Sequence, residues 1–129
     1  NLNFSFSGLK TAVLYALEDL EEKDYPDVAA SFQEAVVDVL VKKLAYAIEQ
    51  TGIKKLVCSG GVAANSLLRE RLTDMGKTSE LEVSYPKMEF CTDNAAMIAY
   101  AGFIRKKYNL KEYPTKFARP RWPLGELYD

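Results

Sequence analysis

The chain reads as an α/β fold, a small parallel sheet flanked by helices with an inserted helical pair at the start. Three observations predict this. Two short strand-like segments, Leu56-Val57-Cys58 and the alternating Leu81, Val83 and Tyr85, bracket one helical stretch. A strand–helix–strand unit of that length implies a parallel pair with a right-handed crossover. Helical apolar spacing fills most of the first 52 residues, and the first strand runs into Ser59-Gly60-Gly61, a glycine turn typical of a strand-to-helix junction.

Taken in order, Leu9, Val13, Ala16, Leu17 and Leu20 recur at helical spacing and predict a helix from about Gly8 to Glu22, with Ser7 as its cap. Tyr25-Pro26 predicts a break. Asp27 then reads as the N-cap of a long helix to about Gln50, stopped by Gly52. Its stripe is Val28, Phe32, Ala35, Val36, Val39, Leu40, Leu44, Ala47 and Ile48. About 24 helical residues reach roughly 36 Å, enough to cross the face of a sheet.

After the glycine turn a helix is expected at once, with Leu67, Leu68, Leu72 and Met75 inward and Gly76 as its stop. Pro86 closes the second strand. Asp93 is expected to begin a last helix rich in small residues, Ala95, Ala96, Ala99, Ala101 and Gly102. The expected organisation is a helical pair over residues 1–52, a strand–helix–strand–helix core over 53–107 and an extended basic-aromatic tail over 108–129.

Composition narrows the function classes. Basic and acidic residues almost cancel, 17 against 18, so nucleic-acid contact would need a local patch or another chain. Apolar runs are too short to span a bilayer, and no secretory pattern opens the sequence. Two cysteines, Cys58 and Cys91, make no disulfide framework and read as buried or near-buried reduced thiols, which points to the cytoplasm. There is no histidine, so a Cys–His nucleophile and a His-based metal site are both excluded within these residues. No initiator methionine is present, and the sequence reads as part of a longer protein. The signatures G-x-x-x-x-G-K-[ST], G-x-G-x-x-G and H-E-x-x-H are missing.

Chemistry concentrates in V-C-S-G-G-V-A-A-N-S-L-L-R, Val57 to Arg69. Adjacent Gly60 and Gly61 remove two Cβ atoms, so a ligand can touch bare backbone beside a helix N-terminus that favours phosphate or carboxylate. The bland alternative is a tight turn in which the glycines only permit packing. Asn65 offers both a donor and an acceptor to a ligand, or caps the helix. Asp93 standing alone reads as an N-cap, and Asn94 either orients Asp93 or caps the same helix. Lys10 reads as a solvated helix lysine or a phosphate contact. Arg119, Arg121 and Trp122 suit phosphate contact and base stacking, or form a strap across the surface.

Three further stretches stand in order around the glycine turn: F-S-F-S-G-L-K-T-A (Phe4 to Ala12), C-T-D-N-A-A-M-I-A (Cys91 to Ala99) and A-R-P-R-W (Ala118 to Trp122). Together the four resemble the C-terminal half of the universal tRNA threonylcarbamoyltransferase family, formerly called glycoproteases. The resemblance implies the C-terminal subdomain of an actin-like fold, of the sugar kinase and heat-shock ATPase type. It also implies transfer of threonylcarbamoyl from its adenylate to the adenosine beside the tRNA anticodon. In that picture Gly60, Gly61 and Asn65 lie against threonylcarbamoyl-AMP or ATP, and this half forms one wall of the cleft. Asp93 would bind a divalent metal, iron or zinc, beside two histidines of the N-terminal half that are absent here. The fragment alone is then expected to be inactive and to hold no metal. Expected partners are tRNA (through Lys10, Arg119, Arg121 and Trp122), the missing N-terminal half and proteins of a threonylcarbamoyl-transfer complex. Self-association through exposed apolar surface is a further expectation, and no membrane is. Two other classes stay open: half of an actin-fold small-metabolite kinase, and a non-catalytic docking module.

Overall fold

The structure, a computed structural model, describes residues 2–110. The chain divides into two compact units, Asn1–Asp93 and Asn94–Asp129. The described part is α/β, with a two-stranded parallel sheet and four α-helices. No helix among the described residues is long and apolar enough to cross a membrane.

In the first unit, α1 spans Ser7–Glu18 and buries no residue. It stops short of the expected Glu22. Glu18, Asp19, Glu21 and Glu22 crowd four carboxylates at the negative end of the helix dipole, where anions are unfavourable. A 3-10 turn over Glu22–Asp24 follows. The second helix, α2, spans Tyr25–Thr51 and so starts ahead of the expected Asp27 cap. Pro26 does not break it, because the first turn needs no N–H and the fixed proline φ already suits a helix. The C-terminus is where the sequence puts it: Gly52 takes the left-handed conformation at φ 67°, and its N–H donates to Ile48 O at 2.8 Å.

One apolar stripe was expected on α2, yet two faces form. Val28, Phe32 and Ala35 meet Leu9, Val13 and Leu20 around α1 and the adjoining turn, lining an open groove of about 490 Å³. Val37, Leu40, Val41 and Leu44 pack instead on the sheet-and-helix core. Val37, the one fully buried residue of α2, lies outside the expected stripe, as does Val41. Residues 35–41 are so nearly apolar all round that periodicity alone does not choose a face.

Strands β1 (Lys55–Val57) and β2 (Glu82–Ser84) pair in parallel, with Leu56 opposite Val83. Cys58 N–H to Ser84 O (3.0 Å) and Glu82 N–H to Lys54 O (2.8 Å) extend the ladder at its ends. Leu56 and Val83 point into the core, while Val57 on the other face is 74% exposed. Between the strands lies α3, Ser66–Ser79, with Leu68 and Leu72 buried against α2.

Gly76 is not the stop of α3. The helix runs on to Ser79, and Glu80 takes the left-handed cap at φ 52°. Gly76 serves close approach: a Cβ there would stand 3.0 Å from the Leu81 carbonyl oxygen and 3.1 Å from Val83 Cγ2. The helix therefore rides so close to the second strand that a Cβ would fit only if the strand gave by a few tenths of an ångström.

The second unit's described part is α4, Ala95–Lys107. Asn94, not Asp93, is its cap, with Oδ1 accepting the Met97 N–H at 3.1 Å. An Asn amide oxygen at the residue directly before the helix has the reach for that bond. Arg105, Lys106 and Lys107 occupy the last turn, where cations complement the dipole.

Candidate functional site

The end of β1 leads through Cys58 and Ser59 to Gly60, whose backbone sits at φ 90°, ψ 174°. That region is essentially restricted to glycine. Gly61 has no such requirement. An added Cβ would meet nothing within 4 Å at either position, so among the described residues neither glycine serves packing. The backbone at 60–61 is open.

The helix does not open directly behind it. A 3-10 turn, Gly61–Ala64, intervenes, closed by Ala63 N–H to Gly60 O (2.9 Å) and Asn65 N–H to Val62 O (3.0 Å). Asn65 is extended at φ −65°, ψ 122°, which interrupts the turn and sets the start of α3 at Ser66. Its Oδ1 accepts the Leu68 N–H at 2.9 Å, and its Nδ2 donates to Gln33 Oε1 of α2 at 2.9 Å. The capping role is thus realised, and the same amide ties the loop to the long helix.

Arg69, one turn into α3, binds the neighbouring segments. Its Nε donates to Ala63 O, and its Nη2 to Pro86 O (2.9 Å) and Cys91 Sγ (3.1 Å). The guanidinium carbon lies 4.9 Å from the Tyr85 ring centroid, and Tyr85 Oη donates back to Arg69 O at 3.1 Å. Sequence reading took Arg69 only as the end of a motif. Its partners lie 6, 17 and 22 residues away, beyond any helical spacing.

Both cysteines are free thiols; Cys91 is buried and Cys58 half-buried. Burial pushes the Cys58 thiol up from its ordinary value, the Arg69 charge pulls the other way, and Cys91 adds to the rise. Cys91 Sγ is also within 3.6 Å of Lys87 O, at the start of a 3-10 turn, Met88–Phe90.

Asp93 is exposed two residues further on. Among the described residues no group of three or more His, Cys, Asp or Glu side chains could hold a metal ion. A single exposed carboxylate does not make a transition-metal site, so the residues present do not by themselves fit the expected ion. Lys10 is an exposed residue of α1, away from the glycine segment in sequence. Arg119, Arg121 and Trp122 lie outside the described residues.

A family model for tRNA N6-adenosine threonylcarbamoyltransferase matches residues 1–100. The chain belongs to that family. A curated tRNA N6-adenosine threonylcarbamoyltransferase from Methylobacillus flagellatus is 49% identical over 131 residues, covering 98% of this chain. The chain spans 39% of that relative's length. The threonylcarbamoyltransferase family match takes in the Phe4–Ala12 stretch, the glycine segment and the Cys91–Ala99 stretch. The Ala118–Trp122 stretch lies beyond it.

Proposed function

We propose that this chain is part of an acyltransferase that moves threonylcarbamoyl from threonylcarbamoyl-AMP to the exocyclic amine of the adenosine beside the tRNA anticodon. In this reading it is the C-terminal subdomain of an actin-like fold and forms one wall of the nucleotide cleft. The observation that carries the reading is the open Gly60–Gly61 backbone, locked by a glycine-only φ in a chain that belongs to this family. Bare backbone N–H groups there would face the adenylate. Asn65 would hold the ligand from its cap position, using the second lone pair of Oδ1 or exchanging its bond to Gln33.

In the transfer, the adenosine nitrogen attacks the carbonyl carbon of the mixed carbamic–phosphoric anhydride. The bond from that carbon to the phosphate oxygen breaks, AMP leaves, and the nitrogen loses a proton. This chain's contribution is to bind and orient the adenylate, and orientation alone supplies a large share of such a barrier. Asp93 is the carboxylate this chain would offer to a divalent ion whose remaining ligands come from elsewhere. The tail residues Arg119, Arg121 and Trp122, with Lys10, would meet tRNA. The fragment alone would be inactive.

The test is a modification assay with unmodified tRNA and threonylcarbamoyl-AMP, the nucleosides being read by mass spectrometry. The full-length protein gives product, this chain alone gives none, and Gly61→Val in the full-length protein lowers kcat/KM by roughly a hundredfold. Product from the chain alone, or an undiminished Gly61→Val variant, sinks the reading.

A further inference from the structure

Three segments around the glycine loop are irregular backbone: the 3-10 turn Gly61–Ala64, the exit from β2 at Tyr85-Pro86, and the turn Met88–Phe90 that ends at Cys91. Loops of this kind are held at their ends and open more easily than the elements they join. One side chain crosses all three. Arg69 donates to Ala63 O in the first, to Pro86 O in the second and to Cys91 Sγ at the end of the third. Two of those acceptors belong to residues that are among the most buried of those described, Ala63 at 1% and Cys91 at 2% exposure. A buried acceptor left without its donor is costly, more so where the lost donor was charged.

The fork geometry makes the link specific. A guanidinium presents its N–H groups in a fixed plane, so satisfying Ala63 with Nε aims Nη2 at Pro86 and Cys91. The Tyr85 ring lies against the guanidinium, its centroid 4.9 Å from the guanidinium carbon, and the Tyr85 hydroxyl returns to the Arg69 carbonyl while standing 3.2 Å from Thr73 Oγ1. An ammonium has neither the plane nor the second reach.

We propose that Arg69 is a positioning residue that couples the Gly60–Ala64 loop to the Lys87–Asp93 segment, so the open glycine backbone and the Asp93 carboxylate are presented in one fixed relation. It acts through the loops and not on the ligand. The ligand's identity, an adenylate, rests on the function proposed above; the coupling does not. If one segment moves, the other moves with it.

Amide hydrogen exchange read by mass spectrometry on the full-length protein tests this, comparing wild type with Arg69→Met and Arg69→Lys. In Arg69→Met, peptides over 60–64 and over 87–93 both exchange roughly tenfold faster, while α2 and α3 peptides around Val37 and Leu72 stay within about twofold. Arg69→Lys keeps the stem and the charge and gives the same paired rise, smaller in size. A rise in only one of the two segments overturns the proposal, and so does an equal rise throughout, which is the mark of a merely structural residue. Transfer kinetics supply the second readout: KM for threonylcarbamoyl-AMP rises and kcat falls, with KM for tRNA unmoved. A wild-type protein that shows no transfer at all sinks the functional reading and leaves the exchange comparison to decide the coupling.

Discussion

The two ends of α3 are held differently. From Leu72 onward the helix meets the core by contact: Leu72 is fully buried, Met75 packs on the same cluster, and Gly76 lets the helix touch β2. Its first turn packs as well, through Leu68, but adds bonds that reach other segments: Asn65 accepts the Leu68 N–H and donates to Gln33, and Arg69 donates to Ala63, Pro86 and Cys91. Dispersion and burial tolerate small adjustments of angle, whereas a hydrogen bond fails within a few tenths of an ångström. The end that must hold a loop in one geometry is therefore the end that adds polar bonds to its packing, and the open glycines lie beside it.

The largest expected effect breaks the packing from Leu72 onward. Leu72→Ala should cost about 2–5 kcal/mol in urea unfolding, because a fully buried leucine leaves a cavity its neighbours fill only in part. A loss below about 1 kcal/mol would show that the neighbours of Leu72 collapse freely into the gap and that packing does not fix this part of the helix.

Next comes the loop beside the bonded first turn, where two adjacent glycines should respond differently. Gly60→Ala places a side chain at φ 90° and should cost about 1–3 kcal/mol in a thermal melt. Gly61→Ala faces open space at an ordinary φ and should stay within about 0.5 kcal/mol. Equal losses at the two positions would mean that crowding, not backbone conformation, governs the loop.

The smallest effect sharpens the comparison at the cap itself. Asn65→Ala should lose about 1 kcal/mol in urea unfolding. Asn65→Asp keeps an acceptor for the Leu68 N–H and adds a charge that suits a helix N-terminus, so it should recover most of that loss. An aspartate no better than alanine would assign the stabilisation to the bond with Gln33.

What could be read from the sequence follows the same division. Leu68, Leu72 and Met75 announce themselves by spacing, Gly52 by its place after a long helix, and the parallel pair by the length of the crossover. The start of α2 was misplaced because Pro26 can either end a helix or begin one, and the sequence around it does not choose. Val37 was missed because the middle of α2 is apolar on more than one side. In the candidate site, Gly60 and Gly61 were visible as a pair, but only the backbone angles separate the constrained glycine from the free one. Asn65 was legible as a cap, while its bond to Gln33 spans 32 residues and leaves no local pattern. Arg69 was invisible for the same reason: two of its acceptors are backbone carbonyls, and a carbonyl has no letter in a sequence.

Gly76 carries a consequence of another kind. Its missing Cβ faces the carbonyl of residue 81, which no substitution can trim, and a methyl of Val83, which one can. A smaller residue at 83 would relieve only one of these two contacts, so any side chain at 76 also needs the backbone at 81 to give by a few tenths of an ångström. The spacing between helix and strand is thus set by a missing atom, and α3 and β2 are best moved into another protein as one unit.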